Sequence, residues 1–230
     1  MNLGEAKSHV QHAIGGYPSV APLQTVEQRT VEVINHAGRQ LFSRPWKFRE
    51  SAGTLNANAS LRVISLPKFY EEMVSLTRTV DGEPVELATP EDMDRLYDGN
   101  SGTSISGYIN RASVAWVSGT PQLLVWPTPT SSETRVLRLR YRRAWETIPD
   151  PDGSAPWSNA RQLDTPTYAE QLFIAYLRAF AVGYEDDGLN ERIAVVEAGP
   201  MLQTALMKDG IQSRDYGRLT PQRGRTFRSR

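Results

Sequence analysis

TPTYAEQLFIAYLRAFAVG, residues Thr165 to Gly183, is the stretch on which the fold turns. Leu172, Phe173, Tyr176, Leu177 and Phe180 recur at helical spacing and make a broad, aromatic-rich apolar face. Thr165 stands where a cap belongs and Pro166 in the first turn, so the spacing predicts a helix running to Gly183. A face this wide needs other helices to cover it. Downstream, Asp187 can cap a further helix from Leu189 to about Lys208, which Gly199-Pro200 should kink or interrupt. At the other end of the chain, Leu3 to Ile14 reads as a helix stopped by Gly15-Gly16 and Pro18. Thr25 and Gln28 then form a capping-box pair for a second helix, with Val26, Thr30, Val33, Ile34, Ala37 and Leu41 on one face. It should end before Pro45, because the residue preceding a proline is pushed out of helical geometry.

Between the helical ends the pattern changes. From Trp46 to Trp145, short extended segments alternate with Gly, Pro, Ser and Asn. Leu61 to Leu66, Glu72 to Val80, Val85 to Leu87, Ala112 to Val117, Gln122 to Trp126 and Val136 to Arg143 read as strands. Asp81-Gly82 is a tight-turn pair, Pro84 confines its strand to an edge, and Thr89-Pro90-Glu91-Asp92 opens a short helix through Tyr97. Asp98 to Gly107 reads as a Gly/Ser loop. About six strands suffice for a small antiparallel sandwich or barrel.

The fold class that follows is α+β: a helical bundle formed by the N- and C-terminal helices, with an inserted antiparallel β-sandwich or barrel-like domain. Residues 1–45 supply the first half of the bundle, 46–148 the β-domain and 149–213 the second half; 214–230 form a basic C-terminal tail. Neither helical half is long enough to bury its own apolar face, so the two should pack together.

Composition narrows the chemistry. In 230 residues, 39% are apolar and 23% charged, with no apolar run near the roughly 18 to 20 residues of a membrane helix. The N-terminus lacks the basic start and continuous apolar stretch of a secretory signal. With no cysteine, thiolate metal sites, thiolate nucleophiles and disulfides are all excluded. Formal net charge is zero, but from Arg214 onward six arginines face the single acid Asp215, a local excess of five positive charges. Tyr216, Leu219 and Phe227 are too few to order such a segment alone, so it is expected to make contacts outside its own domain.

No catalytic constellation emerges, and neither cofactor nor metal site is expected. His9 and His12 share a helical spacing compatible with two metal ligands, yet no acid-rich motif completes the set. Gly99-Asn100-Ser101-Gly102 lacks the Gly-Lys-Ser/Thr of a phosphate-binding loop. No serine sits in Gly-x-Ser-x-Gly. The acid clusters Glu71-Glu72, Glu91-Asp92-Asp94 and Glu185-Asp186-Asp187 lie at element boundaries, where acids commonly cap helices or aid solubility.

VLRLRYRR, Val136 to Arg143, carries the one pronounced charge pattern. Leu137, Leu139 and Tyr141 alternate with Arg138, Arg140 and Arg142, so a strand sends the arginines to one face. Three readings are open: a solvated outer face, pairing with carboxylates of an identical neighbour, or phosphate. The last underlies an alternative function, a nucleic-acid-binding module using this strand and the tail. A hydrolase with an unrecognised acidic site is a third.

LFSRPWKF at the end of the second helix, Leu66-Pro67 after a strand, LLVWPTP followed by LRLRYRRAW, and DTPTYAEQLFIAYLRAFAVGYEDD together resemble the head-to-tail adaptor (connector) proteins of tailed bacteriophages, tail tubular protein A type. The resemblance covers roughly residues 20 to 190. It implies a structural, non-enzymatic virion protein of the head-tail junction, assembled in the host cytoplasm. It further implies a homo-oligomeric, dodecameric ring between the portal protein and a tail nozzle or tail tube protein, with dsDNA passing through unrecognised and no membrane contact. On that reading Arg214, Arg218, Arg223, Arg225, Phe227, Arg228 and Arg230 form a portal-binding tail, and Arg138, Arg140 and Arg142 face a subunit or tail-protein interface.

Overall fold

A computed structural model describes residues 1–16, 24–99, 108–153, 155–186 and 188–210. The fold is α+β and divides into two compact units, Met1–Phe48 with Trp145–Arg230, and Arg49–Ala144.

The first unit is helical. α1 (Leu3–Ala13) starts at Asn2, whose side chain and that of Glu5 cap each other's backbone N–H groups at 2.8 Å. α2 (Val26–Phe42) starts in the same way at Thr25 and Gln28. Both boxes satisfy donors that the first turn leaves without intrahelical partners. α4 (Glu170–Asp186) is the central helix, packed against α1, α2, α5 (Leu189–Ala198) and α6 (Pro200–Asp209); α3 (Pro90–Gly99) belongs to the other unit. Its start differs from the sequence expectation. Pro166 holds extended backbone and a 3-10 turn, Thr167–Ala169, intervenes, so the Thr165 hydroxyl caps nothing and lies buried without a partner. The helix also runs past Gly183. A Cβ there would lie 2.7 Å from the Leu189 Cα, so glycine is what lets α5 cross so closely. α5 (Leu189–Ala198) and α6 (Pro200–Asp209) are separate helices, divided by extended Gly199 with Pro200 in the first helical position. Asp187, the expected cap of α5, lies outside the described residues; Gly188 holds that place.

One core joins the two ends of the chain: Leu3, Val10, Ile34 and Leu41 from the first half meet Leu172, Phe173, Tyr176, Leu177 and Leu202 from the second. Two tryptophans finish it. Trp46 is fully buried and donates its indole N–H to the Leu41 carbonyl at 2.6 Å. Trp145 lies flat on α2 where Gly38 offers no side chain. The Asn35 side chain accepts from the Trp145 indole at 3.1 Å and from the Ile148 N–H at 2.9 Å, and donates to the Ile148 carbonyl at 3.0 Å. Trp46 and the segment Trp145 to Ile148, which alternation and Gly/Pro punctuation assign to the β-block, thus pack in the helical unit.

Among its described residues, the second unit holds seven strands in two sheets over one core. β1 (Glu50–Ala57), β7 (Glu133–Arg143) and β3 (Tyr70–Arg78) form an antiparallel sheet with β7 central. β2 (Val63–Ser65), β6 (Thr120–Trp126), β5 (Arg111–Val117) and β4 (Glu86–Leu87) form the other. Leu55, Leu76, Leu137 and Leu139 from one sheet meet Ile64, Ala112, Leu123 and Val125 from the other. α3 (Pro90–Gly99) packs on β5 and β6, and its Tyr97 hydroxyl donates to the Val125 carbonyl at 2.7 Å.

β1 is the element that alternation misses: ESAGTLNA has one large apolar side chain, so period two leaves almost no signal. β4 departs from a simple hairpin. After the Asp81-Gly82 turn, Pro84 bridges Thr77 and Val85 donates to Leu76, but Glu86 and Leu87 then pair in parallel with β5. The Gly/Ser stretch from Asn100 to Gly107 lies outside the described residues.

Candidate interaction surfaces

The arginine strand is the central strand of its sheet, with its apolar set turned inward as the period requires: Leu137 and Leu139 are fully buried. The outer set meets flanking strands of the same unit. Register places Arg142 beside Glu50 and Glu72, Arg140 beside Ala52 and Ser75, and Arg138 beside Thr54 and Thr77. Arg142 forms an ion pair with Glu72, and Arg140 reaches Glu50 at 2.9 Å. Arg138 is exposed, and no described residue partners it. The three arginines are therefore not equivalent.

A fourth arginine, unremarked in the sequence, completes the charged end of the sheet. Arg49 is only 3% exposed; its Nε donates to the Arg143 carbonyl at 2.9 Å, and it forms an ion pair with Glu71. Burial pulls its pKa below the ordinary arginine value, and Glu71 opposes that pull. The β3 pairing is irregular here, between Tyr70 and Glu72 and between Met73 and Ser75. An extra residue at a bulge re-aims the side chains beside it, so adjacent Glu71 and Glu72 reach different arginines. The pair read as a capping cluster is thus a set of ion-pair partners, a role that depends on register and leaves no mark in local sequence.

The remaining acid clusters behave locally. The Thr89 hydroxyl accepts from the Asp92 N–H and donates to its carboxylate at the start of α3. Glu185 lies in the last turn of α4, while Asp187 lies outside the described residues. His9 and His12 sit on α1, and no group of three potential metal ligands occurs among the described residues.

Exposed apolar side chains occur in both units, Leu61, Val80, Leu87 and Tyr108 among them, and two further groups stand near one another in the chain. The β5–β6 hairpin turns at Ser118 and Gly119, both at positive φ, and holds Trp116 at 64% exposure with Val117 beside it. In the helical unit, Leu189, Ile193 and Val196 of α5 pack partly buried against the core, while Val195, Met201 and Met207 are exposed on α5 and α6. Ala175, Ala179, Val182 and Val195 line a groove of about 700 Å³ between α4 and α5, with Arg178 and Glu191 at its rim. The basic tail residues Arg214, Arg218, Arg223, Arg225, Phe227, Arg228 and Arg230 lie outside the described residues. No helix among the described residues is long and apolar enough to cross a membrane.

Compared with known families, residues 1–225 match the model of the SU10 adaptor protein family. No curated protein matches the chain.

Proposed function

From the premise that the chain belongs to the SU10 adaptor protein family of phage proteins, we propose that it is a structural, non-enzymatic component of the head-tail junction of a tailed bacteriophage. Copies assemble into a dodecameric ring that joins the portal protein to a tail nozzle or tail tube protein and continues the DNA channel. The observation that carries the reading is a family match over nearly the whole chain, on a fold whose two ends close into one helical unit around an inserted sheet unit.

Heterologous contacts that close on themselves generate rings, and such contacts need apolar centres with polar rims. The α4–α5 groove with Val195 supports one contact, and the Trp116 hairpin another. On the sheet, Arg140 and Arg142 have carboxylates of their own chain, so Arg138 is the arginine left for a neighbour or tail protein. The basic tail docks on the portal, where a contact repeated around the ring gains from multivalency. DNA passes through a wall that does not hold phosphate, because a strongly basic lumen would slow ejection. The particle is assembled in the host cytoplasm and ends in the virion.

Negative-stain imaging and native mass measurement, with and without portal protein, test this. Rings of uniform copy number that cap the portal are expected. A protein that stays monomeric with portal present and binds DNA with a steep salt dependence would overturn it.

A further inference from the structure

The two outer faces of the sheet unit carry opposite charge. Leu137 and Leu139 of β7 lie in the core between the sheets, so the alternating Arg138, Arg140 and Arg142 stand on the face of the first sheet that looks away from it. In the second sheet Val125 belongs to the same core, while its neighbour Trp126 turns the other way and meets the Tyr97 ring of α3 edge-on, with centroids 5.6 Å apart. Met93, one turn earlier, is fully buried, and α3 thus covers the outer face of the second sheet. The arginines and α3 lie back to back across the sandwich.

α3 holds four acids against the single Arg95, a net of three negative charges. Thr89 and Arg95 engage Asp92. Glu91, Asp94 and Asp98 are exposed and recur at i, i+3 and i+7, which sets them in one stripe on the side away from Met93 and Tyr97. Among the described residues none of the three has an ion-pair partner. Asp94 and Asp98, one turn apart, repel each other, and Asp98 stands in the last turn, where the helix dipole disfavours an acid. Left to itself the stripe costs the helix stability; a cation set against it removes that cost.

The arginine face offers one. Arg142 has Glu72 and Arg140 has Glu50, but the row of Arg138 holds only Thr54 and Thr77, so its guanidinium is flanked by hydroxyls and answered by no acid among the described residues. Arg140 gives an N–H to Glu50 and keeps further donors for a second carboxylate.

We propose that the arginine face of one copy docks on the α3 stripe of a second copy, with Arg138 and Arg140 set against Glu91, Asp94 and Asp98. This rests on the ring reading and names a contact that repeats around it. Because the two faces look in opposite directions, each copy offers a different one to either neighbour, the head-to-tail arrangement from which rings close. Two arginine faces, or two stripes, would set like charges together, which disfavours a symmetric dimer.

The test is a charge swap in the full-length chain, read by native mass measurement and negative-stain imaging with portal protein. One variant reverses the arginine face, Arg138→Glu with Arg140→Glu. A second reverses the stripe, Glu91→Lys with Asp94→Lys and Asp98→Lys, and a third combines all the changes. Every changed residue is exposed, and thermal melts close to the parent's should show that each variant folds. Each single-face variant should need about tenfold more protein to form rings, and the combined variant should return to the parent's range. Undiminished rings from either single-face variant overturn the proposal, as does a combined variant no better than the single-face ones. Intact rings that fail only to take up tail protein assign Arg138 to that protein and also overturn it. A parent that forms no rings on portal defeats the ring reading and this contact with it; a ring-forming parent indifferent to the swaps defeats the contact alone.

Cross-linking gives a second measurement. The chain has no cysteine, so Arg138→Cys with Asp94→Cys introduces a single pair. In rings formed at high protein concentration, a short bis-maleimide should join copies into a ladder up to the full ring, and each single-cysteine variant should give none. Rings without the ladder, or dimers from either single-cysteine variant, overturn the head-to-tail contact.

Discussion

The helical unit and the sheet unit solve the burial problem differently. The helical unit is closed by large rings: Trp46, Phe173 and Tyr176 are fully buried, and Trp145 packs between Gly38, Phe42 and Phe173. The sheet unit is filled mainly by Leu, Ile, Val and Ala, with Tyr70 and Tyr141 stacked at 6.1 Å within its core and Trp116 in solvent. Rings carry large apolar area at fixed geometry, so the first arrangement suits a rigid body. Thin aliphatic layers leave arginines, glutamates and one tryptophan outside, where a partner can reach them.

Trp145→Ala should produce the largest effect, destabilising the helical unit by about 3–5 kcal/mol as expected for a deleted core tryptophan. Hydrogen-exchange mass spectrometry should show faster exchange in α2 and α4 and little change in β5–β6. Equal acceleration in the sheet unit would break the comparison. Leu139→Ala is the matching change in the other unit: a loss of about 2–5 kcal/mol, with fast exchange confined to the β1–β7–β3 sheet. Gly38→Ala adds a Cβ only 2.2 Å from the Trp145 ring, so a smaller destabilisation of about 1–3 kcal/mol from overpacking should appear in chemical unfolding.

Arg138→Glu and Arg140→Glu sharpen the contrast between body and surface. Both are exposed, so each should change stability by less than about 1 kcal/mol. Arg138→Glu should disturb particle assembly more, because Arg140 is answered within its own chain by Glu50. Normal assembly from Arg138→Glu would leave the sheet as a merely solvated face.

The smallest effect is a pH dependence. Burial first, and then Arg39, depress the His36 pKa, against a weaker opposite pull from Glu32. The folded state therefore binds the proton less readily than the unfolded state. The resulting stability is present above the unfolded value near 6.5 and is lost as pH falls below it. Thermal melts from pH 7.5 to 5.5 should show the helical unit weakening, and His36→Asn should flatten that slope.

Local signals located the helices well, because each rests on chemistry within a few residues: the Thr25–Gln28 box, the Gly199-Pro200 break, the period of α4. Alternation likewise placed β7 and its inward face. Thr165 misled because Pro166 made an extended entry and a 3-10 turn equally available. β1 escaped because small and polar residues do not alternate in hydrophobicity. The charge pattern of the sheet was legible only in outline. An arginine stripe declares itself in one dimension; its partners sit on other strands and depend on two bulges.

What the chain determined by itself is therefore the helices and the strands other than β1, their order, and an α+β class with helical ends and a sheet-rich middle. Period, caps and breakers act over one or two turns of backbone, and sequence contains them in full. Tertiary structure alone decided which arginines are neutralised, that Trp46 and Trp145 seal the helical core, and that Asp209 is tied to Lys47 and Tyr168. Those outcomes join residues from 22 to 162 positions apart, and their energies exist only once a register and a packing have brought the groups within hydrogen-bonding reach.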